Sequence, residues 1–287
     1  SNTESTLIPL YLVATPIGNL SDITQRAIEV LSSVSLIAAE DTRRTRILLD
    51  RLGISCKMVA CHDHNEQEQI PCLIDALKNG KSIALVSDAG TPLISDPGYK
   101  LVRAAQDEGV PVVPIPGACS PVVALSASGL ATDRFIFEGF IPPKPKARKR
   151  FLESLVQEPR TLVFLESSHR IMKSLNECVE VFGAEREAVV ARELTKSFET
   201  IRRAPLGELA SWVSEDSNQQ KGEFVVIIAG YKPVKNELED TDKQLINMLL
   251  EEMPVSRAAD LAARISGKKR NSCYQYALDI NSKDPAE

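Results

Sequence analysis

The side chains best suited to chemistry gather in short polar segments that follow apolar runs. Thr15-Pro16-Ile17-Gly18-Asn19, Ser87-Asp88-Ala89-Gly90-Thr91-Pro92 and Pro116-Gly117-Ala118-Cys119-Ser120 combine hydroxyls, a carboxylate and a thiol with glycine and proline. Glycine lets backbone approach a ligand closely, and proline fixes the turn. Four denser clusters add ionisable groups: Glu40-Asp41-Thr42-Arg43-Arg44, His62-Asp63-His64-Asn65-Glu66, Glu166-Ser167-Ser168-His169-Arg170, and Arg192-Glu193-Leu194-Thr195-Lys196 with Glu199. His62 and His64 invite a metal reading, but they share a face only in an extended segment and no third or fourth ligand is evident, so no metal is expected. Arg43 is expected to face the site and to contact RNA there, and Arg44 the solvent; the bland alternative is a helix capped by Asp41 or Thr42 with exposed arginines. Asp96-Pro97-Gly98 reads either as part of the second turn or as a helix start.

These segments need a scaffold that brings them together. The runs 10–14, 82–86 and 110–115 have strand length and β-branched content, and each is followed by a segment that can start a helix. Helices are expected over 24–31 (with Ser21 or Asp22 as cap), 41–52 ending at Gly53, 70–78 ending at Asn79-Gly80, and 99–108 ending at Gly109. Short strands are expected at 34–39 and around Val59. This βαβα order favours a mainly parallel sheet, whose carboxyl-end turns lie together where ligands bind. The turns therefore read as a cofactor cleft. The G-x-G-x-x-G fingerprint of a dinucleotide fold is missing from the first turn.

After Gly129 the pattern changes. Strands are expected at 135–137, 161–165, 188–191, 198–202 and 224–229, helices at 151–156 and 171–182, and a linker around Pro142, Pro143 and Pro145. A mixed sheet is expected here. Residues 232–242 read as a charged linker, followed by helices over 242–253 and 256–280, the second interrupted near Gly267. The expected domains are 9–130, 131–231 and a helical module over 242–281.

A net charge of −5 disfavours a nucleic-acid binder that works by overall charge, so any such contact must come from local patches. Two exist: Lys144, Lys146, Arg148, Lys149 and Arg150 beside the prolines, and Lys268, Lys269 and Arg270 in the turn of the last helical pair, near Asn271, Tyr274 and Tyr276. Phosphate contacts supply affinity and aromatics stack on unpaired bases. The six cysteines show no CxxC pair or zinc spacing and read as reduced cytosolic residues. No stretch has membrane-spanning length and no signal pattern opens the chain, so a cytoplasmic protein is expected.

Taken in order, TPIGNLSD (15–22), AEDTRRT (39–45), SDAGTPLISDPG (87–98), PIPGACSP (114–121), FLESSHR (164–170), ARELTKSFET (191–200) and KGEFVVIIAG (221–230) closely resemble the bacterial small-subunit ribosomal RNA methyltransferases. These form part of the tetrapyrrole-methylase-like group of S-adenosylmethionine (SAM) enzymes. The resemblance implies two α/β domains of the tetrapyrrole methylase type (class III SAM methyltransferase) with a small helical C-terminal module. It implies SAM held between the two α/β domains by Pro16, by Ser87, Asp88, Ala89 and Thr91, by Cys119 and Ser120, by Leu165 and Glu166, and by Ala191, Glu193 and Gly222. It places His62–Glu66 in a loop over the cleft, and puts serine at 168 where the family usually has proline.

The implied reaction is methylation of the ribose 2′-hydroxyl of a cytidine in the decoding region of 16S rRNA, by a homodimer, with the 30S subunit as the expected partner. Such a transfer is an in-line displacement that depends on alignment and on loss of the hydroxyl proton. Lys196, Glu199, Glu66 and His169 are the candidate acceptors. Alternative functions are methylation of a tetrapyrrole precursor, which needs neither the tail nor the basic patches, and a non-catalytic nucleic-acid-binding adaptor.

Overall fold

A computed structural model of the chain describes residues 7–95, 98–234 and 236–283. Asp96 and Pro97, and with them the reading of Asp96-Pro97-Gly98, lie outside these described residues. The chain divides into two compact units, the first ending at Gly230 and the second starting at Tyr231.

The first unit opens with five parallel strands: β1 (Leu10–Val13), β2 (Leu36–Ala39), β3 (Met58–Ala60), β4 (Ile83–Val86) and β5 (Val112–Ile115), in spatial order β3-β2-β4-β1-β5. Helices α1 (Gln25–Ser33), α2 (Thr42–Leu52), α3 (Glu66–Lys78) and α4 (Tyr99–Asp107) cover both faces. Strand alternation decides which face each residue serves. Leu10, Ala38, Ile83 and Leu85 pack against Leu73 and Leu77 of α3 and Leu101 of α4. Val13, Ile37, Ala39, Ala84 and Val86 pack against Ala27 and Leu31 of α1 and Leu49 of α2. β4 reads as a continuous apolar run because it is buried on both faces.

Local chemistry sets the helix ends. The cap of α1 is Thr24, whose hydroxyl accepts from Ala27 N at 3.0 Å, rather than Ser21 or Asp22; such a cap contributes about 1 kcal/mol. α2 is capped by Asp41 and ends at Gly53 in the left-handed region (φ 68°). α3 begins four residues before the expected start and contains Pro71. Its start is fixed by Asn65, whose side chain accepts from His62 N at 2.8 Å and donates to Ala60 O at 3.0 Å.

The second sheet contains β6 (Phe135–Phe140), β7 (Thr161–Ser167), β8 (Glu187–Arg192), β9 (Thr200–Pro205) and β10 (Glu223–Ile228), in order β6-β7-β10-β8-β9. Only β6 and β7 pair in parallel. One face packs on α6 (Pro145–Glu153), α7 (Ile171–Phe182) and α8 (Leu206–Glu215) through Leu152, Leu175, Cys178, Leu209 and Val213. The proline segment read as a linker therefore starts a helix. Pro145 takes a first-turn position, where its missing N–H costs no internal bond. The other face meets α5 (Ser120–Ser128) and the first turn: Ala124, Leu125 and Ile17 pack with Val163, Val189, Ala191 and Val225. This cluster joins the sheets and leaves a cleft between the carboxyl ends of β1 and β4 and the strands β7 and β10.

The second unit holds α9 (Asp240–Glu252), α10 (Val255–Ser266) and α11 (Arg270–Lys283) around Ile246, Ala259, Ala262, Cys273 and Ala277. A reciprocal capping box between Glu239 and Asp242 starts α9, and Gly267 ends α10 (φ 72°). Among the described residues no helix is long and apolar enough to cross a membrane.

Candidate active site

The cleft measures about 610 Å³. On the first sheet, an isolated bridge ties Thr15 to Gly90 by two backbone bonds of 3.1 and 3.0 Å, holding the first two turns side by side. Ser87 donates its hydroxyl to the Ala89 and Gly90 carbonyls at 3.2 Å each, and Thr91 donates to Ala118 O at 3.0 Å, which ties the second turn to the third. These two hydroxyls brace the turns without lining the cleft, and Cys119 does not line it either, whereas Asp88, Ala89 and Ser120 do. Pro16 lines a smaller neighbouring groove.

Asp88 accepts from Asp41 N at 3.1 Å, and its own N–H donates to Glu40 at 3.4 Å. Burial raises the Asp88 carboxyl above its ordinary range, partly opposed by Arg44. Arg44, not Arg43, borders the cleft. The cap at Asp41 starts α2 in a phase that buries Thr45 and Leu49 and turns residue 44 toward β4. Arg43 is exposed.

From the second sheet, Leu165, Glu166, Ser167, Ser168, His169 and residues 222–225 form the facing wall. The Glu166 carboxylate is fully buried and accepts from Ser167 N at 2.8 Å, from Arg170 Nε at 3.2 Å and from the Ser174 hydroxyl. It fixes the turn that carries Ser168 and His169, despite the serine where proline is usual. Ala191 is not a cleft residue: it lies between β9 and β10 with its methyl group in the apolar cluster. Glu193 stays outside the lining too; its carboxylate accepts from Glu223 N at 3.0 Å and from Lys196 Nζ at 3.3 Å. It fills the space beside Gly222 (φ 96°), where an added Cβ would fall 2.0 Å from Glu193 Oε1.

The proton-acceptor candidates separate sharply. Lys196 lines the cleft, between Glu193 and Glu223 (3.7 Å to the latter). It packs on Gly18, where a Cβ would come within 2.6 Å of its side chain. His169 is exposed at the same cleft. Glu66 is not in a loop over the site; it opens α3, is 5% exposed, and accepts from Leu101 N at 3.1 Å, tying α3 to α4. Glu199 accepts from Thr195 N at 3.0 Å and does not line the cleft. Residues 193–199 form a loop between β8 and β9, and the strand expected over 198–202 starts two residues later, at Thr200, so Glu199 lies in the loop.

The sequence reading missed Ile17, Ile94, Ser95, Phe140, Leu194, Phe224 and Val225 in the lining. A register shift between Phe137 and Gly139 breaks the alternation of β6 and turns Phe140 to this side. Among the described residues, five hold left-handed backbone without being glycine: Leu93 (φ 75°), Ser95 (63°), Glu193 (52°) and Thr195 (71°) in the loops beside the cleft, and Asn236 (75°) in the second unit. Such strain concentrates at functional sites. Among the described residues the buried Ser167 hydroxyl of this lining has no hydrogen-bond partner, which suits a polar ligand. With Asp88 and Glu40 as acceptors, Arg44 as donor and an apolar floor, the cleft fits a ligand of SAM's size and chemistry. No group of three or more His, Cys, Asp or Glu among the described residues could hold a metal.

The basic patches are partly used internally. Arg148 is 6% exposed and donates to Pro143 O at 3.2 Å, while Lys144, Lys146, Lys149 and Arg150 are exposed. Lys268 is paired with Glu239 (3.6 Å) and Asp242 (3.8 Å). Arg270 pairs with Asp260 and stacks over Tyr274 at 5.3 Å, and Lys243 lies over Tyr276 at 5.9 Å. Of the second run, Lys269 is exposed and forms no ion pair among the described residues.

A sequence profile of the tetrapyrrole (corrin/porphyrin) methylases matches residues 9–210, and one of the RsmI C-terminal HTH domain matches 236–281. The chain is 54% identical over 270 residues to a ribosomal RNA small subunit methyltransferase I of Escherichia coli O157:H7, covering 94% of each. It is 52% identical over 276 residues to the protein of that name from Pseudomonas aeruginosa, covering 96% of this chain and 98% of that one. Among solved structures, uroporphyrin-III C-methyltransferase of Thermus thermophilus complexed with S-adenosyl homocysteine shares the fold at a TM-score of 0.55 and 20% identity, over 77% of this chain and 97% of that one. Diphthine synthase does so at 0.58 and 15%, over 77% and 89%.

Proposed function

Since the chain belongs to the tetrapyrrole methylase family, whose members are SAM-dependent methyltransferases, we propose that it methylates ribosomal RNA of the small subunit. The observation that carries this reading is identity above half, over nearly the whole chain, with proteins named for that activity. The finer assignment is the ribose 2′-hydroxyl of a cytidine in the decoding region of 16S rRNA, in the 30S subunit, by a cytoplasmic homodimer. The ordered motifs from TPIGNLSD to KGEFVVIIAG support it.

SAM supplies a methyl group made electrophilic by its sulfonium. The chain's part is to hold that methyl in line with the acceptor oxygen and to manage one proton. Asp88, Glu40 and Arg44 form the polar wall that orients the cofactor, and Ile17, Leu165 and Leu194 exclude water beneath it. The Lys196 ammonium, braced by Glu193 and Gly18, holds the acceptor oxygen as charge develops on it. His169, exposed at the same cleft, takes the proton.

Ala89→Phe tests the cofactor assignment. The ring would enter the cleft, so calorimetric SAM binding should be lost while the circular dichroism spectrum is kept; normal affinity in that folded variant would move SAM elsewhere. Methyl transfer to free 16S rRNA and to 30S particles tests the substrate, with transfer to a tetrapyrrole precursor as the contrary result.

A further inference from the structure

A groove of about 200 Å³ runs beside α2 and meets the larger cleft at Arg44 and Asp88. Thr15 and Pro16 supply one wall; Arg44, Ile47, Leu48 and Arg51 supply the other. Positions 44, 47, 48 and 51 share one helix face. The groove thus carries two arginines whose Cα atoms lie about 10 Å apart along the axis, with an apolar step between them. Ile47 is 63% exposed. Arg51 is exposed and, like its helix neighbour Arg46, forms no ion pair among the described residues; what sets Arg51 apart is its place in the groove lining. Thr15 is 2% exposed and its hydroxyl has no hydrogen-bond partner among the described residues.

We propose that this groove binds a nucleotide of single-stranded RNA next to the one whose hydroxyl enters the cleft. The proposal rests on the reading of RNA as substrate. Guanidinium matches phosphate in charge and bidentate geometry, and unstacked bases lie against flat or apolar side chains. A small anion has no use for the Ile47–Leu48 step, and an apolar peptide has none for two guanidiniums. The buried Thr15 hydroxyl gains a partner from a ribose or base edge, and continuity with the cleft places the occupant beside the reacting nucleotide.

The test compares Arg51→Glu with Arg46→Glu, the same charge change placed about 140° round the helix. Neither residue lines the cleft. Affinity for 16S rRNA is measured against salt, together with the KM for RNA, kcat and SAM affinity. Arg51→Glu should weaken RNA binding at least several-fold more than Arg46→Glu, lower the salt slope by about 0.7 for the lost contact, raise KM, and leave kcat and SAM affinity unchanged. Ile47→Asn should raise KM without altering the slope. Wild-type affinity and slope in Arg51→Glu, equal effects in Arg46→Glu, or a dimer that separates in Arg51→Glu with RNA affinity retained would each overturn the proposal. Wild-type protein that binds this RNA but transfers no methyl contradicts the proposed function instead, and the binding series still judges the groove.

Discussion

Asp88 illustrates how a carboxyl placed in the candidate cofactor cleft comes at a cost to the fold. Burial raises its pKa, with Arg44 only partly offsetting this. The folded state therefore holds the proton more tightly than the unfolded one, and ionised Asp88 destabilises the fold above its native pKa; the cost shrinks as pH falls through that value and is gone below the lower unfolded pKa. Asp88→Asn, which still accepts from Asp41 N, should therefore melt at an equal or higher temperature at neutral pH, with no gain in acid, while SAM affinity falls. A thermal scan across pH alongside calorimetry checks both signs. Lys196→Ala should lower the single-turnover rate by about 10²–10³ at saturating SAM and RNA, whereas Glu66→Gln should lower the melting temperature and spare the saturated rate. A saturated rate unchanged in Lys196→Ala would remove that residue from the reaction.

At the scale of elements, the cleft depends on loops whose backbone is held by specific side chains. Gly222→Ala should weaken SAM binding and stability together, because its φ of 96° strains an L residue and the new methyl would displace the Glu193 carboxylate that braces Lys196. Such strain costs on the order of 1–3 kcal/mol, and a shift in denaturant midpoint would report it. The sequence revealed the helices and strands whose periodicity is local, such as α7 over 171–182, and the three turns at the ends of β1, β4 and β5. It misplaced residues whose role depends on distant partners. Glu66 looked like a site residue because polar neighbours surround it, but its partner is Leu101 N, thirty-five positions away. Arg44 and Arg43 exchange roles because the phase of α2 is set by its cap at Asp41. α8 escaped notice because Pro205 and Gly207 obscure its start.

Across the whole molecule, two compact units carry separate cores, and their basic side chains differ in availability. Lys268 and Arg270 are held by Glu239, Asp242 and Asp260 within the second unit, so substituting them should first destabilise that unit. Lys144, Lys146, Lys149 and Arg150 are exposed on the first. Neutralising these four should weaken RNA binding and flatten its salt dependence with SAM affinity unchanged. Lys268→Ala should instead lower thermal stability.

The central claim is tested most directly by the destination of the methyl group. The protein is incubated with isotopically labelled SAM, 16S rRNA or 30S subunits, and a uroporphyrinogen-type tetrapyrrole in competition. Digested RNA is then mapped by mass spectrometry. The expected result is one labelled methyl on the ribose of a cytidine in the decoding region, lost in Ala89→Phe. Label on the tetrapyrrole with none in the RNA, or label on a base rather than a ribose, would contradict the account.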